Sequence, residues 1–153
     1  FAPKHANALW MYLENWPREL PVSIEFRHPE WFLGEHPHWS RLAELGVGAV
    51  ISDTAGRRDA LHMQVTASHV LVRFGGYEGH EIDAHRLEQW GSWINAFEAR
   101  GGESFYLLVH ERDSIHTPAT CVEFANRLNQ GKREDCVVPS RENKLTKKQI
   151  GLF

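Results

Sequence analysis

Four segments of the chain carry hydrophobic residues at the spacing of an α-helix that buries one face. Gly46 follows the second segment, where glycine commonly ends a helix. Asp83 is the predicted N-cap of the third, and Thr117 with Pro118 is a typical start for the fourth. The predicted helices cover residues 7–16, 37–45, 83–100 and 117–130.

Four short runs between these helices are typical of β-strands. In the first, Val22, Ile24 and Phe26 alternate with polar residues, and the other three are almost continuously apolar. Apolar strands that alternate with helices indicate a parallel sheet. The sequence therefore predicts an α/β fold with a parallel sheet covered on both faces. The predicted strands lie at residues 22–26, 48–52, 70–72 and 105–109.

The hydrophobic pattern stops near Gly131, and charged and amide residues dominate from there to Lys148. Such a segment cannot bury enough apolar surface to offset the entropy of folding. We therefore predict one folded domain over residues 1–130 and a charged, flexible tail over residues 131–153.

Each predicted strand ends in polar or charged residues. In parallel α/β folds, ligands bind beyond the carboxyl ends of the strands. Counting alternate residues along each strand predicts that five side chains meet at one face: Glu25, Arg27, Asp53, Arg73 and His110.

These five side chains favour a site for a small, hydroxylated or anionic ligand. Arg27 and Arg73 could hold a carboxylate or phosphate in bidentate fashion. Glu25, Asp53 and His110 are candidate catalytic residues, because each type can move a proton. This reading predicts an enzyme, either isomerase-like or hydrolase-like, acting on a sugar-like substrate.

Three other interpretations of these residues stay open. The charged side chains could pair with one another as a buried plug that fixes the strand register. Glu25, Asp53 and His110 could bind a divalent metal, although no short ligand spacing supports this and the cofactor stays unknown. The glycine-rich segment 75–79 could cradle a phosphate or simply form a turn.

Composition excludes two classes of protein and suggests a compartment. Seventeen Lys and Arg against 20 Asp and Glu give a net charge of -3, so direct nucleic-acid binding through bulk positive charge is not expected. No apolar stretch approaches the roughly 20 residues of a membrane span. Cys121 and Cys136 fit two reduced thiols in a cytoplasmic protein. Because the chain begins at Phe1 without a signal segment, we expect it to be part of a longer protein.

Residues 22–32 (VSIEFRHPEWF) resemble the signature of the YecE-like family, a family of unknown function loosely related to sugar isomerases. Residues 50–54 (VISDT) and 70–76 (VLVRFGG) are similar to two further family segments, in the same order. Within this signature, Arg27, His28 and Trp31 are assigned to substrate binding together with Arg73. Trp31 would offer the substrate an aromatic face just after the first strand.

The resemblance implies a (β/α)8 TIM barrel, of which this chain would be the C-terminal half, strands five to eight. A half barrel leaves two strand edges unpaired and its inward side chains without an opposite wall. We therefore expect the domain to need an N-terminal half, or to associate with a second copy of itself.

The chain ends in residues 149–153 (QIGLF), which resemble the pentapeptide that binds the bacterial sliding clamp. Gln149 would provide hydrogen bonds, and Leu152 and Phe153 would enter an apolar pocket of the clamp. The alternative is that these apolar residues pack back onto the domain. Two further functions thus stay open beside the enzyme: a non-catalytic sensor of a small ligand, and a clamp-tethered accessory protein in DNA maintenance.

Overall fold

The computed structural model describes residues 1–34, 37–57 and 61–130. The predicted tail, residues 131–153, lies outside them. Among the described residues, three short 3-10 turns accompany the regular elements, at Pro3–His5, Pro29–Phe32 and Ser114–His116. The helices and strands, in chain order, are α1 (Ala6–Glu14), β1 (Ser23–Ile24), α2 (Pro37–Leu45), β2 (Gly48–Ala49), β3 (Ile51–Thr54), β4 (His69–Gly75), α3 (Glu81–Ala99), β5 (Ser104–His110) and α4 (Thr117–Gln130).

The described strands all run parallel, and strands that are neighbours in the chain are neighbours in space. β1 pairs with β2, and β3, β4 and β5 form a three-stranded sheet in that order. Only Val50 separates β2 from β3, and its N–H donates to the carbonyl of Ile24 at 2.9 Å. β2 and β3 are therefore consecutive parts of one extended segment. The predicted α/β fold with parallel strands is confirmed.

Two hydrophobic clusters join the strands to the helices. The residues that alternate along β3, β4 and β5 pack against α3 and α4, while the residues around β1 and β2 pack against α1 and α2. Buried members of the first cluster include Ile51, Val72, Phe74, Trp90, Ile94 and Phe124, and those of the second include Leu13, Phe26, Trp31, Trp39, Leu42 and Ala49.

All these contacts use the same face of the strands, since Ile24 is level with Ala49, and Ile51 is level with Val72. The opposite face has no helix layer in the described part of the chain, and Tyr106 and Leu108 of β5 are 54% and 55% exposed there. The prediction of a sheet covered on both faces is therefore wrong for this structure. An apolar run in a strand predicts that both faces are buried. It does not indicate whether a face is covered by a helix or forms the inside of a curved sheet.

The predicted end of α2 agrees with the structure, whereas the predicted start of α3 does not. α2 ends before Gly46, whose φ of 65° is the left-handed conformation that glycine adopts at low cost, as predicted. α3 begins earlier than predicted, because His80 rather than Asp83 caps it, accepting from the N–H of Ile82 at 3.2 Å. No helix in the described residues combines the length and the apolar character needed to cross a membrane.

Candidate functional site

A cleft of about 290 Å³, lined by several charged and hydroxyl-bearing side chains, opens at the carboxyl ends of the strands, on the face without helices. Parallel pairing aligns its side chains. Ser52 of β3 is level with Arg73 of β4, and Thr54, Gly75 and His110 are level across three strands. The lining residues are Glu25, Phe26, Arg27, Ser52, Thr54, Arg57, Arg73, Gly75 and His110.

Glu25, just after β1, is the acceptor around which the cleft is organised. Its Oε1 accepts a hydrogen bond from the Ser52 hydroxyl at 2.8 Å and lies 3.3 Å from Nη1 of Arg73. Nε of Arg27 lies 3.3 Å from the same oxygen. The other oxygen, Oε2, makes no hydrogen bond within the described part of the chain. One carboxylate oxygen is thus held and the other is left to the cleft.

Three arginines line the described cleft: Arg27, Arg57 and Arg73. Two of them, Arg27 and Arg73, pair with the carboxylate of Glu25. The side chain of Arg27 is 66% exposed and that of Arg73 is 35% exposed. The arrangement attracts anions and offers donors to a ligand that brings oxygen acceptors.

Comparison with known proteins places the chain in a family. Residues 1–145 match the family model described as Protein of unknown function DUF72. The chain belongs to the DUF72 family. This confirms the YecE-like resemblance.

Two relatives of this DUF72 chain share 28% identity with it over 139 residues, both described as UPF0759 protein YecE, from Escherichia coli strain K12 and from Escherichia coli O157:H7. The match covers 77% of this chain and 50% of each relative, so the chain spans about half the length of the curated relatives it matches. A crystal structure of a DUF72 family protein from Enterococcus faecalis V583 matches with a TM-score of 0.66 and 15% identity. That match covers 84% of this chain and 56% of the other, and supports the fold alone.

Four of the predicted site residues of this DUF72 domain line the same cleft: Glu25, Arg27, Arg73 and His110. Alternation along β1, β4 and β5 placed these side chains correctly. Their predicted roles in proton transfer and ligand binding stay predictions.

The placement of Asp53 in the cleft is wrong. Asp53 is 4% exposed and lies on the helix face, where Nη2 of Arg86 is 3.0 Å from its Oδ1 and Nε1 of Trp90 donates to its Oδ2 at 2.9 Å. Arg86 also pairs with Asp83 at 2.9 Å. The alternative interpretation was that the five predicted side chains pair with one another as a plug. Glu25 does pair with Arg27 and Arg73, but Asp53 pairs with Arg86 of the helix layer instead.

Sequence reasoning missed Ser52 because it counted β3 from the wrong residue. Ile51 is fully buried against the helices, so Asp53, two residues on, must share its face. In β1, the apolar residues were assigned to the helix face and the alternate residues to the cleft. The same assignment for Ile51 puts its alternate neighbours, Ser52 and Thr54, in the cleft. Arg57 was also missed, because it follows a turn after β3. The alternation of side chains along a strand therefore does not predict where it points.

Trp31 and His28 do not line the cleft. Trp31 is 4% exposed and stacks on Phe26, with ring centroids 4.3 Å apart, so the predicted aromatic face for a substrate is wrong. Its Nε1 also donates to the carbonyl of Phe1 at 3.2 Å, so the polar atom of the buried ring is satisfied. Nδ1 of His28 accepts from the N–H of Glu30 at 3.3 Å and caps the turn at Pro29–Phe32.

The three residues predicted as metal ligands in the alternative interpretation do not lie together in this structure. Glu25 and His110 line the cleft, but Asp53 faces the helices. Across the described ranges 1–34, 37–57 and 61–130, no three His, Cys, Asp or Glu side chains are grouped to hold a metal ion. Cofactor chemistry is therefore not assigned to these three residues.

Three successive amides of the glycine-rich segment after β4 are already bonded within the domain, and the first is the N–H of Gly76, which donates to the carbonyl of His110. The N–H of Tyr77 donates to Asp83, and that of Glu78 donates to the buried carboxylate of Glu111 at 3.0 Å. Gly76 is required here, since a β-carbon would overlap Glu111. The segment is a turn tied to the domain by two internal carboxylates.

The predicted clamp-binding residues Gln149, Leu152 and Phe153 lie outside the described residues. Their proposed role is unaffected by the geometry above.

Proposed function

We propose that the protein is an enzyme that binds a small hydroxylated or anionic, sugar-like substrate in the cleft and moves a proton with Glu25. The observation that carries the proposal is the asymmetric contact pattern of this carboxylate. Ser52, Arg27 and Arg73 all contact Oε1, and Oε2 is left for the ligand.

This pattern suits a general base. A carboxylate that is fixed through one oxygen presents the other in a defined direction, and proton transfer depends on that direction. The Glu25 side chain is 24% exposed, so a substrate in the cleft reaches it directly. His110, on the far strand of the same cleft, provides a second group able to donate or accept a proton.

Proton abstraction from carbon, the step of an isomerase-like reaction, has a direct readout that does not require the product to be known. The protein is incubated in deuterated water with a panel of aldoses, ketoses, polyols, sugar acids and sugar phosphates, and proton NMR follows exchange of carbon-bound hydrogen. We expect exchange for at least one compound, and at least a hundredfold slower exchange in Glu25→Gln. Glu30→Gln, which changes an exposed carboxylate outside the cleft, is the matched control.

Two results would count against this function. Equal exchange rates in the wild type and Glu25→Gln would remove Glu25 from the chemistry. Ligand binding with no exchange or turnover across the panel would favour a sensor over an enzyme.

We infer further that the four strand paths are half of a (β/α)8 barrel, strands five to eight. Three observations support this: every strand is parallel to the next, all the described helices lie on one face, and the opposite face leaves Tyr106 and Leu108 more than half exposed. In a closed barrel that face is the packed interior. The cleft would then be part of the mouth of the barrel. The rest of the mouth would come from the part of the longer relatives that this chain does not match.

A further inference from the structure

Two guanidinium groups share one carboxylate oxygen in the cleft and have further donors to spare. Arg73 bonds to Oε1 of Glu25 through Nη1, and Arg27 contacts the same oxygen through Nε, both at 3.3 Å. Within the described ranges, Nε and Nη2 of Arg73 and both terminal nitrogens of Arg27 have no acceptor. Arginine donors that line a cleft without a protein acceptor can bind the oxygens of a ligand.

The charges of these three side chains favour a ligand with a single negative charge. Two guanidinium groups against one carboxylate leave one positive charge among Arg27, Arg73 and Glu25. Arg57, the third arginine of the lining, already has a partner and is not counted. A carboxylate ligand is singly negative at neutral pH and offsets the remaining charge. A phosphate monoester brings about -1.5 to -2 and would leave the group negative.

The shape of a carboxylate also matches the spare donors. Its two oxygens accept two parallel N–H bonds from one guanidinium, and the terminal nitrogens of Arg27 offer such a pair. Because Arg27 and Arg73 contact the same oxygen of Glu25, their guanidinium groups lie close enough for one ligand to contact both. One carboxylate can therefore be held by two arginines at once.

The size and the other lining residues of the cleft indicate what the rest of the ligand is. A volume of about 290 Å³ is at the lower end of the range for small-molecule sites. Ser52 and Thr54 line the same cleft, and their hydroxyl oxygens can accept hydrogen bonds from the hydroxyl groups of a ligand. These features favour a short chain of hydroxylated carbons, which a sugar acid combines with one carboxylate.

We propose that Arg27 and Arg73 form a subsite for the carboxylate group of a sugar acid. This inference rests on the proposed function, because it names the substrate class of the same cleft. Arg73 is the fixed contact, since its backbone is paired with Ser52 of β3 on one side and with Leu108 of β5 on the other. Arg27, whose side chain is 66% exposed, approaches the same ligand from the segment after β1.

Calorimetric titration with three ligands on one carbon skeleton tests the proposal: ribonate, ribitol and ribitol 5-phosphate. The three compounds carry a carboxylate, no charge and a phosphate, respectively. We expect ribonate to bind at least about tenfold more tightly than either of the others, because it alone matches both the charge and the donors of the two arginines.

Substitutions of the arginines locate the carboxylate. Arg73→Gln and Arg27→Gln should each weaken ribonate binding about 10- to 100-fold, the usual effect of losing a hydrogen bond to a charged group. Arg100→Gln, which changes an exposed arginine at the end of α3, should leave the affinity unchanged. Because the Arg27 side chain is mostly exposed, its variant keeps the test valid if Arg73→Gln does not fold.

The outcomes separate this inference from the function on which it rests. Equal affinities for ribonate and ribitol, with hydrogen exchange still dependent on Glu25, would overturn the carboxylate subsite and leave the enzyme. Tighter binding of ribitol 5-phosphate than of ribonate, or unchanged ribonate affinity in both arginine variants, would overturn the subsite as well. Ribonate binding that depends on the arginines, with no exchange across the wider panel, would uphold the subsite and contradict the proton transfer. Binding of none of the three ligands, with no exchange, would contradict both proposals.

Discussion

Nη1 of Arg73 donates to Oε1 of Glu25 at 3.3 Å, although 48 residues separate them in the chain. The contact exists because β1 and β4 flank the path of β2 and β3 and run in the same direction, so their carboxyl ends reach the same edge. Ser52 on the intervening strand bonds to the same carboxylate oxygen at 2.8 Å. Three strands therefore contribute to one polar centre.

Replacing Asp53 should reduce stability without affecting ligand binding directly. Asp53→Ala leaves Arg86 without one of its two buried carboxylate partners and removes the acceptor of Trp90. We expect a loss of about 3–5 kcal/mol in the free energy of unfolding, the usual cost of breaking a buried ion pair. Urea unfolding measures it, with Glu88→Ala, an exposed change on the same helix layer, as control. A fully stable variant that no longer binds ligand would instead return Asp53 to the site.

A methyl group at Gly76 should have the opposite effect from one at Gly91. Gly76→Ala places its β-carbon against Glu111, which holds the turn after β4 through the N–H of Glu78. We expect a loss of about 1–3 kcal/mol, the range for overpacking. At Gly91 within α3 the nearest atom is Leu128 at 3.6 Å, so alanine fits and should stabilise the helix by about 0.5–1 kcal/mol. Equal effects in thermal or urea unfolding would show that Glu111 does not pack under Gly76.

His62 should make the protein less stable in mild acid. Burial against Phe32 and Trp39 lowers the pKa of His62 below its usual 6.5, with the hydrogen bond to the carbonyl of Val50 opposing the shift. Because the unfolded chain takes up a proton at this imidazole before the folded chain does, stability is retained above pH 6.5 and falls as the pH is lowered through and below it. Urea unfolding at pH 7.5, 6.5 and 5.5 should show a smaller decline in His62→Gln than in the wild type. Identical slopes would mean that the imidazole is protonated as easily in the folded state.

A charge on the helix-free face should be costly if that face is the interior of a barrel. Leu108→Lys would put an ammonium group among apolar neighbours once the face is covered, and we expect a loss of more than about 2 kcal/mol in the whole protein. Ile115→Lys changes an apolar residue that is 74% exposed elsewhere and should cost little. If the two variants are equally stable, the face is open to water and the half-barrel inference is wrong.

The sequence predicted the order of elements better than the direction of individual side chains. Proline, glycine and hydrophobic spacing are local signals, so α2 was correctly predicted to begin at Pro37 and to end before Gly46. The face of Asp53 was predictable from Ile51: apolar strand residues meet the helices, and Asp53, two residues on, shares the face of Ile51. Trp31 was misjudged for a different reason: its position after a strand suggested exposure, whereas packing on Phe26 decides its burial. Arg57 lies in a turn after β3, and the direction of the chain in that turn is not predicted by strand alternation.

The most direct test of the cleft is a crystal structure of the protein grown with a compound from the panel that undergoes Glu25-dependent hydrogen exchange. Our account predicts ligand density in the cleft, within about 3 Å of the terminal nitrogens of Arg73, the usual length of a charge-assisted hydrogen bond, and beside Oε2 of Glu25. Ligand density outside this cleft, or Glu25 and Arg73 on opposite faces of the sheet, would contradict it.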